Sequence, residues 1–190
     1  MESSCRTHDT RGPVLTESER ARFDAMMLPQ LSAAYTLARY LLRDDHDAED
    51  VVQEAFLRAL KHFGSFRGEG ERASRAWLLT IVRNTAYSWR QGHKAEALAT
   101  EFDEAQHSDS IAGEHPETAL SRSEAKATLA EVLARLSPEL REVIVLRELQ
   151  GLSYGEMSEV VGVPVGTIMS RLSRARQRLQ TGSIAFNREP

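Results

Sequence analysis

A chain of 190 residues that is 41% hydrophobic has apolar mass for two small cores or one medium one, which excludes a wholly unfolded polymer. A single cysteine, Cys5, excludes an internal disulfide and a cysteine-ligated zinc, and it points to a reducing cytoplasm. The net charge of -4 weighs against a nucleic-acid partner until its distribution is read: Ala95 to Ser121 carries seven acids and no Lys or Arg, and the rest of the chain sums to +3.

In chain order, residues 1–15 are polar and irregular and are expected to form a disordered extension without the apolar core of a secretory signal. Thr16 and Glu19 have the spacing of a capping box and open a first helix with Phe23, Met26 and Met27 inward. Pro29 suits the first turn of a second helix to about Arg43, whose apolar stripe is Leu31, Ala34, Leu37, Ala38, Leu41 and Leu42. Asp44 and Asp45 end it, and Asp47 is placed to cap a third helix to Phe63.

That third helix buries Val52, Ala55, Phe56, Ala59 and Phe63. Its other face gathers Asp50, Gln53, Glu54, Leu57 and Lys61 at helical spacing. One leucine among polar neighbours reads either as a solvated face or as a protein-binding face, in which a small apolar anchor ringed by acids meets a basic partner.

A glycine-rich loop follows, with Phe66 and Arg67 in it. Ser74 is expected to cap a fourth helix to about Gln91 with Trp77, Leu78, Ile81, Val82, Thr85 and Trp89 inward, while Arg83, Tyr87 and Arg90 share another side. Arginines with an aromatic among them suit single-stranded nucleic acid, since guanidinium groups meet phosphates and a ring stacks on a base; a plain solvated face has the same pattern. These four helices define a first domain, 16–94.

Residues 95–121 then form the acidic linker, rich in Ala, Ser and Thr and without periodicity. A second domain, 122–182, starts with a helix from about Ser123 to Leu136. Ser137 and Pro138 open the next one, apolar on several sides through Leu140, Val143, Ile144, Val145, Leu146 and Leu149, and therefore central. Gly151 ends it. Ser153 and Glu156 box a short helix carrying Tyr154, Met157, Val160 and Val161, and Gly162, Val163 and Pro164 make a tight turn. The last helix, Val165 to about Gln180, sets Ile168, Leu172, Ala175 and Leu179 on one face and Thr167, Ser170, Arg171, Arg174 and Arg178 on the other, before a tail of 183–190.

Short helix, glycine-containing turn and second helix with a basic face is the helix-turn-helix arrangement, whose second helix enters a major groove. Thr167 and Ser170 sit where side chains reach base edges, Arg171 and Arg174 where they reach guanines or phosphates, and Arg176 and Arg178 are candidates for phosphate contacts. The expected fold is all-α: two small helical domains joined by an acidic linker. His46, His62, His93, His107 and His115 lack ligand spacing, and the run Asp44, Asp45, Asp47, Glu49, Asp50 suits a helix start. No catalytic residue, metal, cofactor, small-molecule substrate or membrane insertion is therefore expected.

The chain resembles the extracytoplasmic-function (ECF) group of the sigma-70 family of RNA polymerase sigma factors. DAEDVVQEAFLRAL (Asp47 to Leu60) is similar to the family's helix that grips the clamp of the polymerase's largest subunit. AWLLTIVRN (Ala76 to Asn84) is similar to the helix that melts and reads the minus-ten element. The stretch from LSPELREVIVLRELQGLSYGEM to VPVGTIMSRLSRARQRL (Leu136 to Leu179) is similar to the domain that reads the minus-thirty-five element.

The resemblance implies that Asp50, Gln53, Glu54 and Leu57 contact core RNA polymerase. It implies that Phe66 and Arg67, in the 66–74 loop that captures a flipped base, and Arg83, Asn84, Tyr87 and Arg90 beside it, handle minus-ten DNA, and that Thr167, Ser170, Arg171, Arg174, Arg176 and Arg178 handle minus-thirty-five DNA. It implies promoter DNA and core RNA polymerase as partners, an anti-sigma factor as a restraining partner, and a cytoplasmic alternative sigma factor serving a stress or environmental response. The rival is a stand-alone helix-turn-helix transcription regulator, which would place a ligand pocket or dimer interface in the first domain.

Overall fold

The structure, a computed structural model, describes the backbone of residues 16–99 and 129–186 and the side chains of 16–93 and 129–180. The expected N-terminal extension, the linker from residue 100 onward, the start of the helix from Ser123 and the last four residues of the tail lie outside the described residues.

The fold is all-α. Helix α1 (Glu17–Met27) starts at the expected capping box: the Thr16 hydroxyl accepts from the Glu19 amide and the Thr16 amide donates to Glu19 Oε2 at 2.9 Å. Pro29 falls in a 3-10 turn, Leu28–Gln30, that leads into α2 (Leu31–Leu42). Arg43 closes α2 in the left-handed conformation (φ 68°), and the next residue caps α3 (Asp45–His62). The cap is Asp44, whose carboxylate accepts from the Asp47 amide at 2.9 Å, so Asp47 is a first-turn acid and not the cap.

A second 3-10 turn, Phe63–Ser65, precedes α4 (Gly70–Ala99). This helix begins before Ser74, which is buried inside it and donates to the Glu71 carbonyl. At its other end it continues past residue 94, where the first domain was expected to stop. Helices α2, α3 and α4 pack on one another and α1 lies over α4. Met27, Leu37, Leu41, Val51, Leu78, Leu79 and Val82 are fully buried between them, each contributing about 1.5 to 3 kcal/mol of hydrophobic stabilisation.

In the second half, α5 is described over 129–134 and α6 (Pro138–Ile144) runs into a π-helical turn, Val145–Leu149. Gly151 (φ 67°) breaks this helix as expected. The Ser153–Glu156 capping box opens α7 (Tyr154–Val161), Gly162 closes it with φ 72°, and α8 spans Val165–Phe186. Leu133, Val143, Leu146, Met157, Val160, Ile168, Leu172 and Ala175 make the core of this half.

The two halves do not stand apart. Helix α4 packs against α7, and α2 against α6 and the π turn. Polar groups tie the seam: Gln150 accepts from Arg75 Nη2 at 2.6 Å and donates to the Ala33 carbonyl at 3.3 Å, while Arg141 Nη1 donates to the Tyr40 carbonyl at 3.1 Å. Buried backbone and side-chain polar groups from both sides thereby find partners.

Candidate nucleic-acid interface

The face of α3 comes first. Asp50, Gln53 and Leu57 are exposed, Leu57 at 58%, and Glu54 is half-buried with its carboxylate accepting from Arg58 Nε at 2.7 Å. They form one side of a groove of about 540 Å³ whose other side is α4, through Thr85, Ser88, Trp89, Gly92 and His93. Sequence reasoning placed the α3 half of this groove and missed the α4 half, because Trp89 was assigned to the core. Trp89 is only half-buried, stacks on His93 with centroids 4.9 Å apart, and its buried Nε1 has no hydrogen-bond partner among the described residues.

The loop between α3 and α4 is held by its own aromatic. Phe66 is buried, stacked on Phe63 with centroids 6.0 Å apart and tilted against Trp77 at 4.8 Å. Gly68 passes so close to this ring that an added Cβ would sit 2.6 Å from Phe66 Cζ and 2.8 Å from the Ala73 Cβ, so the position admits no side chain. Arg67 is exposed and donates to the Gly64 carbonyl at 2.6 Å. The Phe66 ring is thus occupied in packing, and the exposed charged groups here are Arg67 and Glu69 of the loop with Glu71 and Arg72 of the first turn of α4.

Along α4, Arg83, Tyr87 and Arg90 are half-buried and Asn84 is exposed. The Arg83 guanidinium lies 4.7 Å from the Tyr87 ring centroid and also donates from Nη1 to Asn84 Oδ1 at 3.2 Å, so three of the four α4 residues form one cluster. A fourth participant comes from α6. Glu142, 0% exposed, accepts from Arg83 Nε at 2.5 Å and from the Tyr87 hydroxyl at 3.5 Å.

Burial pushes the Glu142 carboxyl above the usual carboxylate range, while Arg83 first, and then Arg171, pull it back. Burial and the Glu142 charge push the Tyr87 phenol up to about 12, so it stays a neutral donor. Sequence reasoning missed Glu142, although an acid among Leu140, Val143 and Ile144 in an apolar helix was a visible signal for a buried partner.

On α8 the two faces divide as the spacing requires. Ile168, Leu172 and Ala175 are buried; Ser170, Arg174 and Arg178 are exposed, and Thr167 and Arg171 are half-buried on the same side. The turn that presents them is fixed by the Ser158 hydroxyl donating to the Val163 carbonyl at 2.6 Å. Arg176 is placed differently: half a turn away, it pairs through Nη2 with Glu148 Oε1 at 2.7 Å. Near it Met169 is 52% exposed. Five of the six candidate residues therefore share a surface and Arg176 lies off it.

Among the described residues no group of His, Cys, Asp and Glu could hold a metal ion, and no helix is long and apolar enough to cross a membrane.

Comparison with known proteins bears on both halves. Residues 29–96 match Sigma-70 region 2, and residues 126–179 match Sigma-70, region 4. The RNA polymerase sigma-H factor of Pseudomonas aeruginosa is 34% identical over 85% of this chain and 86% of its own length. The ECF RNA polymerase sigma-E factor of Haemophilus influenzae is 36% identical over 80% and 81%. Among solved structures, the sigma factor RpoE in complex with the anti-sigma factor NepR from Bartonella quintana is 30% identical with a TM-score of 0.69, covering 84% of this chain and 95% of that one. CnrH in complex with the cytosolic domain of CnrY is 27% identical with a TM-score of 0.63, over 87% and 90%. With both conserved regions matched in order, the chain belongs to the sigma-70 family of RNA polymerase sigma factors, in its ECF group.

Proposed function

We propose that this alternative sigma factor divides its work among three surfaces. The acidic face of α3, with its groove against α4, docks on a basic surface of core RNA polymerase. The Arg83, Asn84, Tyr87 and Arg90 side of α4, with Arg67 from the preceding loop, handles the single strand of an opened minus-ten element. Thr167, Ser170, Arg171, Arg174 and Arg178 of α8 read minus-thirty-five DNA. Phe66 serves the second surface by bracing the loop against Trp77.

The observation that carries the polymerase contact is Leu57, an exposed apolar side chain amid acids over a groove also lined by Trp89, whose buried Nε1 has no hydrogen-bond partner among the described residues. A small apolar anchor with charged neighbours suits a protein partner, with charges steering the encounter. The stand-alone regulator is not favoured, since residues 29–96 of the first half match Sigma-70 region 2.

The protein is read as a cytoplasmic polymerase subunit without catalytic activity of its own, serving a stress or environmental response. An anti-sigma factor is proposed as a restraining partner because two solved relatives, RpoE and CnrH, are held in complexes, the first with an anti-sigma factor.

Co-elution of the purified chain with core RNA polymerase on a sizing column tests the polymerase surface. Stoichiometric co-elution is expected for the natural chain, and loss of it for Leu57→Asp with Glu54→Lys at unchanged helicity by circular dichroism. Full retention in that variant would show that another face makes the contact.

A further inference from the structure

Helix α8 carries two exposed large apolar side chains in its first two turns, Val165 at 40% and Met169 at 52%. Four positions apart, they fall on one flank of the helix and make a continuous apolar edge. Single exposed apolar residues are ordinary on a protein surface; this pair adjoins on a helix whose other exposed side chains are hydroxyls, amides and arginines. Between the edge and the basic flank of Arg174 and Arg178 lie Gly166, Ser170 and Ser173, all exposed and all short. No long side chain there holds the entering turns of α8 away from a surface beneath them.

We propose that Met169, with Val165 beside it, is a specificity-determining contact in which the side chain packs on the C5 methyl of a thymine in the minus-thirty-five element. The inference deepens the proposed role of α8 and rests on it. A major groove about 12 Å wide takes up a helix about 10 to 12 Å across, so the entering turns meet the groove on both flanks and not only on the basic one. Of the groups that base edges present there, only the thymine methyl is apolar; the rest are donors and acceptors. An apolar edge laid on donors and acceptors strips their water and pairs none of them, so it gains only against the methyl. Arg174 and Arg178 on the same helix attract a polyanion, which favours duplex DNA over a protein as the occupant of this edge. Arg176 shares the side of Met169 but stands about 10 Å further along the axis, beyond the entering turns, and is held by Glu148.

Holoenzyme reconstituted from the full chain and bacterial core RNA polymerase tests this. It first selects duplexes from a pool randomised over the minus-thirty-five segment. The best-bound duplex is then remade with uracil for thymine, one position at a time, which removes the methyl and leaves every hydrogen-bonding group in place. The natural holoenzyme is expected to lose about fourfold in affinity at one such position, the worth of one buried carbon group. Met169→Ala, a truncation at an exposed position, is expected to bind the thymine and uracil duplexes alike.

A selected segment without thymine, or a uracil penalty of the same size in Met169→Ala, overturns the contact. Arg174→Ala on the same duplex separates that failure from failure of the reading beneath it. Weaker binding by Arg174→Ala shows that α8 reads this DNA and that the methyl contact alone is wrong. Unchanged binding shows that α8 does not read it, and the inference falls with the proposed role.

Discussion

Two basic helix faces in this chain look alike as sequence and differ in space. Arg174 and Arg178 of α8 project from an exposed surface, whereas Arg83 and Tyr87 of α4 are turned into the seam and bonded to Glu142. A guanidinium in water keeps its hydration until a phosphate displaces it. One paired with a buried carboxylate must first give up that partner. Charge pattern thus reports which residues can bind a polyanion, while the packing around them decides when they are free to do so.

The largest expected effect comes from Arg141, which joins the two regions. Its guanidinium donates to the carbonyls of Leu133, Ala134 and Leu136 in its own half and to Tyr40 in the other. Arg141→Ala strands several buried acceptors and should cost about 3 kcal/mol or more in urea unfolding of the full chain. A loss below about 1 kcal/mol would mean that these carbonyls find water instead.

Next in size is the open face. Arg174→Ala should weaken minus-thirty-five binding by about 1 to 3 kcal/mol if the side chain reads a base, with the loss concentrated on the cognate sequence. Arg176→Ala should change DNA binding by much less, because its guanidinium faces Glu148 on the other side of α8. Its removal should also cost little stability, under about 1 kcal/mol, since both partners are about half exposed. Equal DNA losses for the two arginines, read by titration at fixed salt, would erase the distinction drawn between the faces of α8.

Presentation of that face depends on the α7 cap. Ser153→Ala removes the hydroxyl that accepts from the Glu156 amide and should lower stability by about 1 kcal/mol. The same box holds the Glu156 carboxyl below its usual range through its bonds to Ser153. Its contribution is therefore present above pH 4.5 and fades as pH falls through the lowered folded value.

Glu142 has the opposite sign and the smallest effect expected here. Its carboxyl is raised by burial, so the folded state holds a proton more tightly than the unfolded chain does. Arg83 and Tyr87 face it from α4, and Arg171 acts on it from α8. Above the raised value the buried charge weighs against the folded state in full. As pH falls through that value toward 4.5 the penalty is withdrawn, and stability rises by this group's share. The urea midpoint of the natural chain should therefore gain on that of Glu142→Gln from neutral pH to about pH 5. An identical pH profile in both would remove Glu142 as a source.

Much of this protein was legible before any coordinates. The capping boxes at Thr16 and Ser153, the breaks at Gly151 and Gly162 and the two-faced spacing of α8 are local matters, decided by residues within a few positions of one another. The inward stripes of α2 and α3 follow from periodicity for the same reason, since a buried face needs only the right residues at helical steps; Leu31, expected in the α2 stripe, is instead 47% exposed at the start of the helix. Asp44 displaced Asp47 as a cap because the left-handed turn at Arg43 sets the extended residue one step later, and that geometry is not written in residue type.

Residue order alone carries the family, the helices and a set of candidate residues for polymerase and DNA. Which of those residues are already engaged is settled by packing. Phe66 is spent on Trp77, Arg176 on Glu148, and Arg83 with Tyr87 on a carboxylate that lies 59 and 55 residues further along the chain. Helix formation is governed by neighbours in sequence. Pairing across a seam is governed by which surfaces meet, and no local pattern around Glu142 specifies what it will face.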